Sequence, residues 1–214
     1  SPANYKIPCA VRVQGPGLRS GTRPRRSVCM CAVGEIWVVR HGETEWSAAG
    51  RHTGRTDVPL TEVGEEQARG LTFRLNRDWD TVLSSPLQRA LRTAQLAGFA
   101  PLVEEDLVEW DYGTAEGLTT AQLSAAKPWS VWDEPLGETV EELGDRVQRV
   151  LEKLPDGDVL IFAHGHVLRV LGARWLGLPP QAGQHFLLGT GTLSVLGDYS
   201  GVPAIRIWNG PLGT

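Results

Sequence analysis

Cysteine is confined to Cys9, Cys29 and Cys31, so beyond residue 31 the chain has neither a disulfide nor a thiol nucleophile. Cys29 and Cys31 stand one residue apart rather than the two of a usual metal pair, no second pair follows, and they are expected to be incidental. Acid is missing from the same stretch. Residues 1–34 hold Lys6, Arg12, Arg19, Arg23, Arg25 and Arg26 with no Asp or Glu, a charge of +6. The whole 214-residue chain has a net charge of −4, which leaves −10 on residues 35–214. Such an acidic body is a poor match for nucleic acid, and no nucleic-acid partner is expected. Long apolar runs are also lacking. The longest in the body, Val159 to Ala163, cannot cross a bilayer, and no Asn-x-Ser/Thr sequon occurs, so neither a membrane partner nor secretion is expected. The motifs Gly-x-x-x-x-Gly-Lys-Ser/Thr, strand-linked Gly-x-Gly-x-x-Gly, Gly-x-Ser-x-Gly and His-Glu-x-x-His are all absent, which removes nucleotide cradles, serine hydrolases and zincins from consideration.

What is present suits one folded domain: 41% hydrophobic and 21% charged residues, with eight Trp spread from Trp37 to Trp208. Residues 35–214 are read as that domain. Residues 1–34, rich in Pro, Gly and Arg and without periodicity, are expected to be a disordered basic extension. It reads either as the remnant of a targeting segment or as an incidental leader, since Met30 is the only Met and could be the true start. The expected compartment is cytoplasmic, or a plastid or mitochondrion if the extension is a transit-peptide remnant.

From Glu35 the run Ile36-Trp37-Val38-Val39 predicts a buried strand that stops at the polar loop Arg40-His41-Gly42-Glu43-Thr44. Thr61 is a plausible N-cap for a helix whose first turns carry Glu62, Glu65 and Glu66. Val82 to Ser84 reads as a short strand, followed by a helix over about 86–97. A stripe of Val140, Leu143, Val147, Val150, Leu151 and Leu154 marks a helix within 138–154. Asp158 to Ala163 is the strongest strand and runs into His164-Gly165-His166 and a helix over 167–176. Leu193 to Leu196 and Ile205 to Trp208 close the chain as strands. Alternating strands and helices predict an α/β fold, a three-layer αβα sandwich with a mainly parallel sheet and helices on both faces. Ligands then belong at the carboxyl ends of the strands, where both His-Gly loops fall.

Imidazoles and arginines gathered in such loops suit an anion, phosphate first. A neutral imidazole attacks phosphorus well, and its P–N bond is weak enough for water to cleave later. Charge spread over three phosphoryl oxygens needs several fixed donors, and the leaving oxygen needs a proton from an acid that can then serve as base.

The ordered blocks Val38-Val39-Arg40-His41-Gly42-Glu43-Thr44, Gly50-Arg51-His52-Thr53-Gly54 leading to Pro59-Leu60-Thr61, Ser84 through Ala94, Leu107 through Gly117, Gly137-Glu138-Thr139 and Phe162-Ala163-His164-Gly165-His166 resemble the histidine phosphatase superfamily, the phosphoglycerate-mutase-like proteins. The resemblance spans residues 35 to about 196. It implies that His41 becomes the phosphohistidine, that Arg40, Arg89 and His164 grip the phosphoryl oxygens, and that Glu109 is the proton donor. It also implies lesser phosphate or substrate contacts from Ser47, Thr53, Gly54, Tyr112, Gly165 and His166. Glu43 and Glu116 read as structural and Arg92 as an ordinary salt-bridging residue. His52 and His185 receive no role. His164 and His166 lack a carboxylate at ligand spacing, so no metal and no cofactor is expected.

Between Gly117 and Gly137 the sole base is Lys127, and Ser47 stands where mutases of the family typically place Asn. Fewer cations favour hydrolysis. The blocks around Trp46, Trp110, Trp129 and His166 look most like the sugar-bisphosphatase and acid phosphatase branch. The expected function is hydrolysis of small phosphate monoesters, sugar phosphates or bisphosphates, with a small phosphorylated metabolite as the partner. A phosphoglycerate-type mutase and a non-catalytic phospho-ligand-binding module are the other readings.

Overall fold

The computed structural model describes residues 33–210. The expected extension, with its cysteines and Met30, lies outside the described residues except for Val33 and Gly34, which open the first strand rather than precede it. In chain order the elements are β1 (Val33–Arg40), α1 (Glu45–Ala48), α2 (Glu62–Gly70), β2 (Thr81–Ser84), α3 (Gln88–Leu96), β3 (Leu102–Val103), α4 (Thr120–Leu123), α5 (Val140–Lys153), β4 (Gly157–Ala163), α6 (Gly165–Trp175), β5 (Leu193–Tyr199) and β6 (Val202–Gly210).

These strands form one six-stranded sheet in the order β3-β2-β4-β1-β5-β6. The pairings β3/β2, β2/β4 and β4/β1 are parallel, whereas β1/β5 and β5/β6 are antiparallel. The mainly parallel reading therefore holds for the half of the sheet that carries the loops of interest. The antiparallel β5/β6 pairing follows from the hairpin at Ser200 and Gly201, both at positive φ, which returns β6 along β5.

β4 lies at the centre and is buried on both faces, which explains its unbroken apolar sequence. Val159, Ile161 and Ala163 pack with Val38 against α5 and α6, through Leu143, Val147, Leu168 and Leu171. The alternate residues Leu160 and Phe162 pack with Val39 against Leu71, Leu75, Ala94 and Ala97 on the opposite side. The period of two thus builds the three layers directly. Each fully buried side chain of this size contributes about 1.5–3 kcal/mol. α5 starts where the sequence places it: Thr139 accepts from Glu142 N while the Glu142 carboxylate accepts from Thr139 N.

Three parallel strands end side by side. Arg40 is level with Ala163, and Ser84 with Phe162, so the next residues, His41, His164 and Ser85, emerge together at one edge of the sheet. His41 N donates to Ala163 O at 3.0 Å and Ser85 N to Phe162 O at 3.0 Å, extending the ladder into the loops. Two glycines let α2 approach this point. A Cβ on Gly42 would lie 2.2 Å from the Gly64 carbonyl oxygen, and one on Gly64 would lie 2.1 Å from that of Glu43.

Candidate active site

A cavity of about 150 Å³ opens beside His41, with Arg40, Glu109, Tyr112, His166 and Arg169 among its walls. His41 is 4% exposed. Its Nδ1 lies 2.7 Å from Gly42 O, and because a carbonyl can only accept, the proton sits on Nδ1 and Nε2 keeps a free lone pair. Burial holds the ring well below the usual histidine range, and the Arg40 and Arg89 guanidiniums push the same way. The imidazole is therefore neutral and nucleophilic at neutral pH.

Arg40 donates from Nη1 to Leu188 O, yet its buried Nε has no protein partner. A buried donor left unmatched costs about 1–3 kcal/mol, which an acceptor reaching this N–H would recover. Gly165 also lines the cavity, and its lack of a side chain makes room for Arg40: a Cβ there would lie 3.3 Å from Arg40 Cζ.

Arg89 and His164 differ from the sequence reading. Both are fully buried behind His41 rather than on the cavity wall. Arg89 donates from Nε to His164 Nδ1 at 3.1 Å and from its terminal nitrogens to the carbonyls of Thr53, Gly54 and Thr56. Of the five N–H groups of a guanidinium this leaves one on Nη1. Since Nδ1 of His164 accepts, its proton is on Nε2 and goes to Ser85 Oγ at 2.7 Å. Burial first, then the charge of Arg89, holds this ring well below the usual range. The protonated His164 that a phosphoryl grip invites is thus a neutral ring here, packed 5.2 Å from that of His41.

Glu109 is seated on backbone amides. Its Oε1 accepts from Trp110 N and Val167 N, both at 2.9 Å, and Oε2 from His166 N at 3.0 Å. The carboxylate caps the first turn of α6, whose own N-cap residue, His164, supplies no side-chain bond. Arg146 fixes the loop around it, donating to the carbonyls of Asp106, Val108 and Glu109 and gripping Glu138 with both Nε and Nη2. The Arg146 and Glu138 side chains are only 8% and 13% exposed. Arg146→Ala is expected to destabilise the fold by about 3–5 kcal/mol, because it strands a buried carboxylate and three carbonyls. A denaturant midpoint within error of wild type would refute this.

The lesser contacts sort differently. Tyr112 and His166 face the cavity and each other, 2.6 Å apart. Ser47 is on the wall, but its hydroxyl donates to Thr44 O and accepts from Thr44 N in the cap of α1, so its proton is already committed. Thr53 lines the cavity, with its hydroxyl donated to Arg51 O. Gly54 is off the cavity wall: its carbonyl holds Arg89, and a Cβ would lie 2.6 Å from Trp110 O. Glu43 accepts from Thr61 Oγ1, Glu116 from Thr56 N, and Arg92 pairs with Glu65, as their structural readings require.

Five wall residues carry no assignment from the sequence: Gly50, Arg51, His52, Arg169 and Leu188. His52 packs its ring against Tyr112 and Trp129. For Arg169 a signal existed, since it lies one helical turn after His166. Among the described residues no group of three or more His, Cys, Asp or Glu is arranged to hold a metal ion, and no helix is long and apolar enough to cross a membrane.

Comparison with known proteins follows this geometry. The histidine phosphatase superfamily (branch 1) matches residues 36–211, past the limit near 196 read from the sequence and through the β5–β6 hairpin. An acid phosphatase of Mycobacterium tuberculosis is 41% identical over 183 residues, 80% of this chain and 90% of that protein. A sedoheptulose 1,7-bisphosphatase of Saccharomyces cerevisiae is 35% identical, over 67% of this chain and 68% of its own length. A solved structure of an open reading frame product of Mycobacterium tuberculosis superposes with a TM-score of 0.80 at 38% identity, covering 84% of this chain and 99% of that one.

Proposed function

Because this chain belongs to the histidine phosphatase superfamily and is a phosphatase, we propose that it hydrolyses small phosphate monoesters, sugar phosphates and bisphosphates foremost, through a phosphohistidine on His41. The observation that carries the proposal is that one small cavity is lined by both His41, whose Nε2 is free, and Arg40, whose buried Nε has no partner. The nucleophile and an anion donor are both unspent.

In the proposed first step Nε2 attacks phosphorus as the ester P–O bond breaks, and Glu109 gives its proton to the departing oxygen. Oε1 is held by two N–H groups and Oε2 by one, so Oε2 is the oxygen that carries this proton. Arg40 donates to a phosphoryl oxygen from Nε. In the second step water attacks the phosphohistidine, the P–N bond breaks, Glu109 takes the proton, and phosphate leaves. Hydrolysis rather than transfer is supported by Lys127, the lone base of 118–136, which is exposed and paired with Glu134 at 2.7 Å.

The test is to incubate the protein with sugar bisphosphates, 4-nitrophenyl phosphate and 3-phosphoglycerate and to measure inorganic phosphate against isomerised product. Release of phosphate with an acid-labile phosphoprotein supports the proposal, and isomerisation without release overturns it. Arginine supplies the charge that a divalent ion would otherwise bring, so exhaustive EDTA treatment is expected to leave the rate unchanged. Activity lost to chelator and restored by Mg²⁺ or Zn²⁺ would contradict that expectation.

A further inference from the structure

One wall of the cavity is a line of hydrogen bonds whose direction can be worked out. Arg169 Nη1 lies 3.2 Å from His166 Nε2, and a guanidinium only donates, so Nε2 accepts. Burial, and then the charge of Arg169, holds His166 well below the usual range, so the ring is neutral and its single proton is on Nδ1. Nδ1–H therefore donates to the Tyr112 oxygen at 2.6 Å. Burial, with Glu109 adding to it, raises the Tyr112 phenol well above its ordinary range, so the hydroxyl keeps its proton. That proton cannot return to His166, and Tyr112 borders the cavity.

The opposite tautomer would reverse the pocket's polarity. With the proton on Nε2, Tyr112 would spend its own proton on Nδ1 and turn a lone pair towards the ligand, which would repel a phosphoryl oxygen. The arrangement is built to prevent this. Arg169 is fixed by Nε to Gly183 O at 3.0 Å and Nη2 to Gln184 O at 2.9 Å, with its Cζ 4.9 Å over the Trp132 ring. The His166 ring is wedged edge-on against Trp110.

We propose that His166 and Arg169 are positioning residues which make Tyr112 a dedicated hydrogen-bond donor to a phosphoryl oxygen. The inference rests on the phosphatase reading, since it presumes a phosphate ester in the cavity. It assigns Arg169 a part in recognition that runs through two hydrogen bonds, to His166 and from His166 to Tyr112.

Its first test needs no turnover. In ¹⁵N-histidine-labelled protein at neutral pH, with the His166 signals assigned by their loss in His166→Asn, Nδ1 should be proton-bearing and Nε2 unprotonated. The reverse pattern overturns the inference. Kinetically, Tyr112→Phe and His166→Ala should each lower kcat/KM by about 10- to 100-fold, the value of one hydrogen bond to a charged group. Combined, they should cost no more than about threefold beyond either alone, because both remove the same donor. His166→Asn, whose amide nitrogen lies near the place of Nδ1, should recover most of the loss. Additive losses, or an Asn variant no better than Ala, would also overturn it. A wild type that releases phosphate from no ester would instead defeat the phosphatase reading and leave the tautomer measurement standing.

Discussion

His41→Ala is expected to abolish turnover, a loss on the order of 10⁴-fold or more, while phosphate and vanadate still bind within about tenfold of wild type. The asymmetry follows from the site. His41 is neutral, so its removal takes no positive charge from the cavity, and the Arg40 Nε that awaits an anion is untouched. The buried layer behind the ring, Arg89 with His164 and Ser85, is held by its own hydrogen bonds and does not depend on His41. The measurement is steady-state phosphate release together with vanadate titration of the variant. Turnover within about tenfold of wild type would rule out covalent catalysis through this residue.

Glu109→Gln should slow sugar-phosphate hydrolysis by on the order of 10²-fold or more through loss of general acid catalysis. The phosphorylation step with 4-nitrophenyl phosphate should suffer far less, because that phenolate departs without a proton. A structural cost has to be separated from the chemical one. Gln keeps one carbonyl oxygen for Trp110 N and Val167 N but turns an amide nitrogen towards His166 N, where an acceptor stood. That loss weakens the start of α6 for every substrate alike, so only the difference between the two esters reports on the proton. Rapid-quench measurement of phosphohistidine formation gives that difference. Equal slowing for both esters would assign Glu109 to positioning and send the search for the acid to Tyr112 and His166.

The sequence makes the scaffold legible wherever one element carries its own signal. β4 is readable because burial on both faces demands an unbroken apolar run, and α5 because a capping box precedes a clean stripe. α6 is misplaced at its start, expected at Val167 and found at Gly165, because its cap comes from Glu109, more than fifty residues away in sequence. A cap of that kind leaves no local trace. The same holds for Arg89, whose place in the site is implied by the resemblance alone. Its acceptors are backbone carbonyls of residues 53, 54 and 56, which no side-chain pattern reveals. His52 is missed for a related reason, since a lone histidine in a Gly-bounded loop does not say which wall the loop will form. Ser47 shows the converse, a polar residue in a suggestive position whose hydroxyl is spent on its own helix cap.

The seat of Glu109 on α6 also ties a proton to a helix. When Oε2 takes up hydrogen, its hold on His166 N weakens, and when the proton leaves, the bond is restored. Under the proposed mechanism the first turn of α6 would be loosened and tightened once per catalytic cycle. His166, whose backbone N–H makes that bond, is the residue whose ring aims Tyr112 at the substrate. Protonation of the acid and orientation of the phosphate donor are in this way two ends of one residue, linked through roughly a single peptide unit rather than through a distant network.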